Sequence, residues 1–351
     1  MPKSSVFRAF ATAVLMAYVA ASQPVLAQAI PRLGGPDQAQ HQDKDQAEDQ
    51  SVSTLKVNVE VVQLFFNVKD KKGALIPNLT KDDFQVMEDG KQQAIKYFSA
   101  ESNLPLTLGI LIDSSPSQTR VLDMEKEVGG SFVNQIVREK DLAFVISFDA
   151  DVNLLQDFTN STRLLRQAMN GAHIGGGGGG GFSGVPGLGG GPVPTLSHGC
   201  CTMLYDAVYL ASHDELAQQV GRKAMILLTD GEDEGSKLKI RDAIEAAQKA
   251  DTICYVLLVA DRGGMWQGFG AGDMKKLTQE TGGRVIEVGN KFDKLKEAFD
   301  QIARELRSQY NIGYVPTNTK RDGTFRKVEI RSKNGYKIQA RTGYFAVASR
   351  D

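Results

Sequence analysis

Three oxygen-bearing side chains, Asp113, Ser115 and Ser117, stand at i, i+2 and i+4 in one short stretch, immediately after the apolar run Leu106 to Ile112. A second apolar run, Lys223 to Thr229, stops at Asp230-Gly231-Glu232-Asp233, again a carboxylate at the end with a glycine suited to a tight turn. If both runs are strands of one sheet, their ends face one point. A carboxylate from each, plus two hydroxyls, is then an all-oxygen set suited to a hard divalent ion that keeps some of its water. Taken singly these pieces have plainer readings, since a Ser-rich turn caps a following helix and an aspartate caps a turn.

Other chemistries lack their residues. A phosphoryl-transfer site built on a strand-end aspartate needs a second Asp two residues on, and position 115 is Ser. His41, His173, His198 and His213 form no dyad with a nucleophile, and no G-x-S-x-G occurs. The three cysteines make neither a disulfide framework nor a zinc pattern. Cys200-Cys201 reads as two thiols or a strained vicinal disulfide, and Cys254, inside an apolar run, reads as core. Catalysis is therefore not expected. The Gly-rich stretch 171–199 is no phosphate loop, because no Gly-Lys-Ser/Thr follows it. It reads as a solvated insertion or as a flap near the metal face. Trp266 lies in a second Gly-rich stretch and reads as a loop residue.

The elements that must position these residues follow from periodicity. Val57, Val59 and Val61 alternate with polar neighbours, and a hairpin around Asp89-Gly90 follows within 83–98, so 55–100 is a β segment. From Leu104 the pattern changes to apolar runs at 106–112, 142–148, 223–229, 252–259 and 284–288, too continuous for strands with a wet face. Helical periods lie between them, as at 241–250 and at 293–309, where Leu295, Phe299, Ile302 and Leu306 share one side. Alternating strands and helices predict an α/β, doubly wound, mostly parallel sheet over 104–308. The tail 309–351 returns to β alternation. Neither β segment has enough strands to close a core, so the two are expected to pair as one small β domain with the α/β unit inserted between them.

The chain of 351 residues is 41% apolar with 41 basic against 42 acidic groups, enough apolar material for a sizeable core and no basic excess to hold a phosphate backbone. Nucleic acid is not an expected partner. Lys3 and Arg8 precede an apolar run from Ala9 to Ala21 and the small-residue end Val25-Leu26-Ala27, which reads as a signal peptide over 1–27. Residues 28–54 are Gln/Asp-rich with few large apolar side chains and read as a disordered linker. No later segment is apolar for the 18 or so residues a membrane helix needs, so an exported protein, periplasmic or secreted, is expected.

The stretch Asp113-Ser114-Ser115-Pro116-Ser117 after an apolar strand, a threonine in GCCTMLYDAVYLA and the sequence LLTDGEDEG resemble the metal-ion-dependent adhesion site of a von Willebrand factor type A domain, over about residues 104–308. The resemblance makes Asp113, Ser115 and Ser117 the D-x-S-x-S triad, Thr202 the threonine of the second loop and Asp230 the aspartate of the third. It implies a Rossmann-like type A fold with hydroxyls holding Mg²⁺ (or Mn²⁺) directly and aspartates acting largely through water. A Glu or Asp exposed on a partner protein would complete the ion's shell, and affinity would couple to sliding of the last helix, 293–308. The run of signal, β segment, type A domain and tail ending GYFAV resembles a set of exported bacterial proteins known from acidobacteria. The insertion before Thr202 departs from the family's compact pattern and bears on the placement of that residue. The expected function is an adhesion-type binding module; the alternative is a structural or envelope-assembly protein whose metal only stabilises the fold.

Overall fold

A computed structural model describes residues 61–101, 104–175, 201–259 and 270–346. The expected signal and linker, most of the Gly-rich insertion, Cys200 and Trp266 lie outside these residues.

The first segment contributes β1 (Val62–Lys69), β2 (Phe84–Glu88), β3 (Lys91–Gln93) and β4 (Ile95–Glu101). The α/β unit runs β5 (Leu106–Asp113), α1 (Leu122–Ile136), β6 (Leu142–Phe148), β7 (Val152–Thr159), α2 (Thr162–Gly171), α3 (Leu204–Leu210), β8 (Arg222–Thr229), α4 (Ile240–Lys249), β9 (Thr252–Leu258), α5 (Ala271–Thr281), β10 (Val285–Glu287) and α6 (Phe292–Arg307). The last segment supplies β11 (Gln309–Tyr314), β12 (Phe325–Ser332), β13 (Lys337–Ala340) and β14 (Gly343–Phe345).

The large sheet has the order β10-β9-β8-β5-β6-β7. Its first five strands are parallel and β7 is an antiparallel edge. Every residue of β5 and β8 is buried because helices cover both faces. On one face Leu106, Leu108, Ile110 and Ile112 pack with α1, α2 and α6; on the other Leu111, Met225 and Leu227 pack with α3, α4 and α5. This is the expected doubly wound architecture. The chain leaves β5 toward β6 on one side and returns to β8 on the other, so the order reverses between β5 and β8. A crevice opens at the carboxyl ends of strands at such a point.

The two flanking segments interleave as expected. One four-stranded sheet is β13-β1-β11-β4 and the other β14-β12-β2-β3, so each draws strands from both ends of the chain. Val62, Leu64, Phe66 and Val68 on one face of β1 meet Phe84, Val86, Tyr310, Ile312, Val328 and Ile330 in a separate apolar core. Ser308 alone separates α6 from β11, the strand held between β1 and β4.

Two elements differ from the sequence reading. The hairpin read over 83–98 ends at β3; Asp89 and Gly90 take the positive φ values 45° and 80° that its two-residue turn requires, and residues from Ile95 onward cross to the other sheet. Strand β7 was not visible as an apolar run, because an edge strand buries little: Leu154 is 47% exposed and no position is fully covered.

Candidate metal site

The reversal point is where the expected ligands gather. Strand β5 ends in Asp113, fully buried, and the chain then turns through Ser115 and Pro116 into a short 3-10 turn whose first residue is the proline. Asp113 Oδ1 accepts from the Ser115 backbone N–H at 3.0 Å, which folds the loop back over the strand end. The hydroxyls of Ser115 and Ser117 then meet at 2.9 Å. This spacing supplies a test of fit. Two neighbouring ligands of an octahedral ion with bonds of 2.0–2.1 Å lie about 3.0 Å apart, whereas calcium's longer bonds would spread them to about 3.4 Å. The two hydroxyls are hydrogen-bonded to each other at 2.9 Å, a spacing that adjacent ligands of a small hard ion would also have.

The second strand end is tied to the first. The Thr229 hydroxyl, on the last residue of β8, donates to Asp113 Oδ2 at 2.7 Å and accepts from the Gly231 N–H at 3.0 Å. Gly231 has φ 88°, and a Cβ there would come within 3.2 Å of Leu258 and Met274, so this turn needs a residue with no side chain. Asp230 follows Thr229 and accepts from the Glu232 N–H at 3.1 Å. Burial pushes the Asp113 carboxyl up to about 7, the charge of Asp230 adds to the rise, and the bonds from Ser115 and Thr229 oppose it. Burial thus favours the neutral acid, and only a positive charge placed beside it would restore the carboxylate.

Thr202 is buried, and its carbonyl accepts from the Glu234 N–H at 3.1 Å, which fixes its loop to the one after β8. The next residue, Met203, donates its N–H to Asp149 at 2.7 Å, in the loop after β6. The Ser114 N–H donates to the Phe148 carbonyl at 2.8 Å, and Gly175 donates to the Ser114 carbonyl at the same distance. All three expected loops, and the first residues of the Gly-rich insertion, are thus bonded around the carboxyl end of β5. Within them Asp113, Ser115 and Ser117 are joined by hydrogen bonds, Asp230 by its charge on Asp113, and Thr202 through main chain.

Among the described residues no group of three or more His, Cys, Asp or Glu could hold an ion. Any metal here would therefore lean on the hydroxyls. Sequence reasoning missed Thr229, although it stands beside Asp230 in the same motif, and Glu125, a fully buried acid in α1. Cys254 is core, as expected, and burial pushes its thiol up to about 12. No described helix is long and apolar enough to cross a membrane.

No family model matches the chain, and no curated protein is similar to it in sequence. Solved structures similar to it include type A domains. A von Willebrand factor type A protein of Catenulispora acidiphila is 13% identical, with 77% of this chain and 74% of that one covered and a TM-score of 0.41. The protein BatB of Bacteroides thetaiotaomicron is 18% identical, with 58% of this chain and all of that one covered and a TM-score of 0.42. A proximal thread matrix protein of the mussel byssus, with a zinc-occupied adhesion motif, is 14% identical, with 62% and 49% covered and a TM-score of 0.43.

Proposed function

We propose that the protein is an exported binding module that uses a divalent ion to capture an acidic side chain of a partner protein. The observation that carries this reading is the pair of hydroxyls at 2.9 Å beside a buried Asp113 at the sheet's reversal point. Ser115, Ser117 and Thr202 would hold the ion, Mg²⁺ or Mn²⁺, with Asp113 and Asp230 fixing its water. When bound, the ion supplies a positive centre ligated mainly by neutral oxygens and so attractive to a carboxylate. The chain's own part is to preorganise these groups: Thr229 and the Ser115 N–H hold Asp113, and the Gly231 turn aims Asp230.

A second reading, in which the ion only stabilises the fold, draws on the same Asp113–Thr229 bond, because an ion there would clamp two strand ends. Calorimetric titration of Mg²⁺ and Mn²⁺ into the EDTA-treated protein, with melting curves, separates the two. An adhesion-type site gives saturable binding that Asp113→Ala/Ser115→Ala abolishes, with a fold that persists without metal. A collapse of the fold on chelation supports the structural reading; no binding in the unaltered protein refutes both.

A further inference from the structure

The segment leading from the D-x-S-x-S loop into α1 carries three acceptor oxygens that no described residue satisfies. They are Gln118 Oε1 and both carboxylate oxygens of Glu125, all inaccessible to solvent. Gln118 turns its amide to the Ser117 hydroxyl at 3.4 Å, so the first of these groups hangs on a metal-site residue. Glu125 sits one turn into α1, where its own N–H is already used by the Val121 carbonyl. The charges that bear on it are Asp113 and Asp230, both negative, and together with burial they hold its carboxyl well above the usual range. Packing alone does not explain an acid there, since an apolar side chain would fill the place without the desolvation cost. Buried acceptors with no donor mark the place of ordered water or an ion.

We propose that Glu125 belongs to the metal site, accepting from the water shell of the ion that Ser115, Ser117 and Thr202 hold. It acts through water, because the described acids form no group that could hold an ion directly. Gln118 braces the same water with its free oxygen. The site is then assembled from an inner layer reached from solvent and an outer acceptor layer buried inside the protein, which keeps the ion hydrated on the protein side. Glu125 is a positioning residue in this scheme. The inference rests on the metal reading above.

The test is calorimetric titration of Mg²⁺ and Mn²⁺ into the full chain and into Glu125→Gln, a substitution of equal size that replaces the carboxyl by an amide. Loss of an outer-layer partner lowers metal affinity by about 10- to 100-fold. The metal-free variant should melt no lower than the unaltered protein, because an unpaired buried acid has gone. Water-proton relaxation with Mn²⁺ bound should change as well, which a glutamate of purely structural role would not cause. Equal affinity and equal relaxation in the two proteins overturn this inference and leave the proposed function standing. Absence of binding in the unaltered protein overturns both. If Glu125→Gln does not fold, Glu125→Asp, which keeps the carboxyl but withdraws it by one methylene, carries the same test: unchanged affinity refutes the proposal.

Discussion

Thr229→Val replaces a hydroxyl by a methyl of nearly the same size, so its effect isolates two hydrogen bonds from packing. One is the 2.7 Å bond to Asp113 Oδ2; the other is the 3.0 Å bond from the Gly231 N–H. Both lie in fully buried surroundings, so water cannot replace them. A bond to a charged group contributes about 1.5–3 kcal/mol, and a buried N–H left without an acceptor costs about 1–3 kcal/mol. Because the two share one oxygen and the turn can relax, the net loss should be about 2–4 kcal/mol. For a unit of this size that lowers the melting temperature by about 4–16 °C. Thr229→Ser keeps the hydroxyl and should lose only about 1 kcal/mol for its methyl group. The assay is urea unfolding of all three proteins without metal, followed by Mg²⁺ titration, in which the valine variant should bind more weakly because Asp113 has lost the donor that favours its ionised form. Stability within about 0.5 kcal/mol of the unaltered protein, with unchanged metal affinity, would show that Thr229 does not organise Asp113.

Further outcomes follow from other residues. Gly231→Ala should cost about 1–2 kcal/mol for its left-handed backbone alone and weaken metal binding by re-aiming Asp230, both readable in the same two assays. Glu305 on α6 accepts from Lys69 and from Arg284, each at 2.8 Å, and Glu305→Ala should cost about 1–3 kcal/mol by taking the anion from two partly buried cations. Burial resists ionisation of Glu305, but Arg284 and Lys69 outweigh it and hold the carboxyl below its ordinary value. Its contribution is therefore present above the ordinary value near 4.5 and lost as pH falls through the folded one, so Glu305→Ala should flatten the acid limb of a stability–pH curve. Metal at about 100 times its dissociation constant should add about 2.7 kcal/mol to unfolding, and EDTA should remove that increment and no more.

The sheet was legible because burial on both faces leaves an unmistakable trace: β5 and β8 are apolar through their middles, and each ends at its carboxyl side in a polar residue, Asp113 and Thr229. The loops that the resemblance singles out were visible for the same reason, since Asp113 and Asp230 stand at the stops of those two runs. Strand β7 left no trace because one neighbour and a wet face impose no period on its side chains. The crossing at Ile95 is invisible locally, since β3 and β4 both read as strand and only β4's partner β11, more than 200 residues away, takes it to a different sheet from β3. Glu125 was hidden for the opposite reason. A glutamate in the first turns of a helix is ordinary at the surface, and only packing shows that this one points inward.

The junction at Ser308 sets a limit on how α6 moves. A helix sliding along its axis finds a new fit after one turn, about 5.4 Å. The strand that continues it, β11, is hydrogen-bonded on both sides and recovers its face pattern only after two residues, about 6.8 Å. The two spacings do not match, so no axial step leaves helix and strand both correctly seated. Glu305, held by Lys69 of β1 and by Gln339 of β13, pins the last turn of the helix to the same sheet. The sliding last helix that the family resemblance implies is here geared to a strand with a different tooth. Any rearrangement at the carboxyl end of the large sheet must either carry the β sheets along as one body or be absorbed in the loops around Asp113.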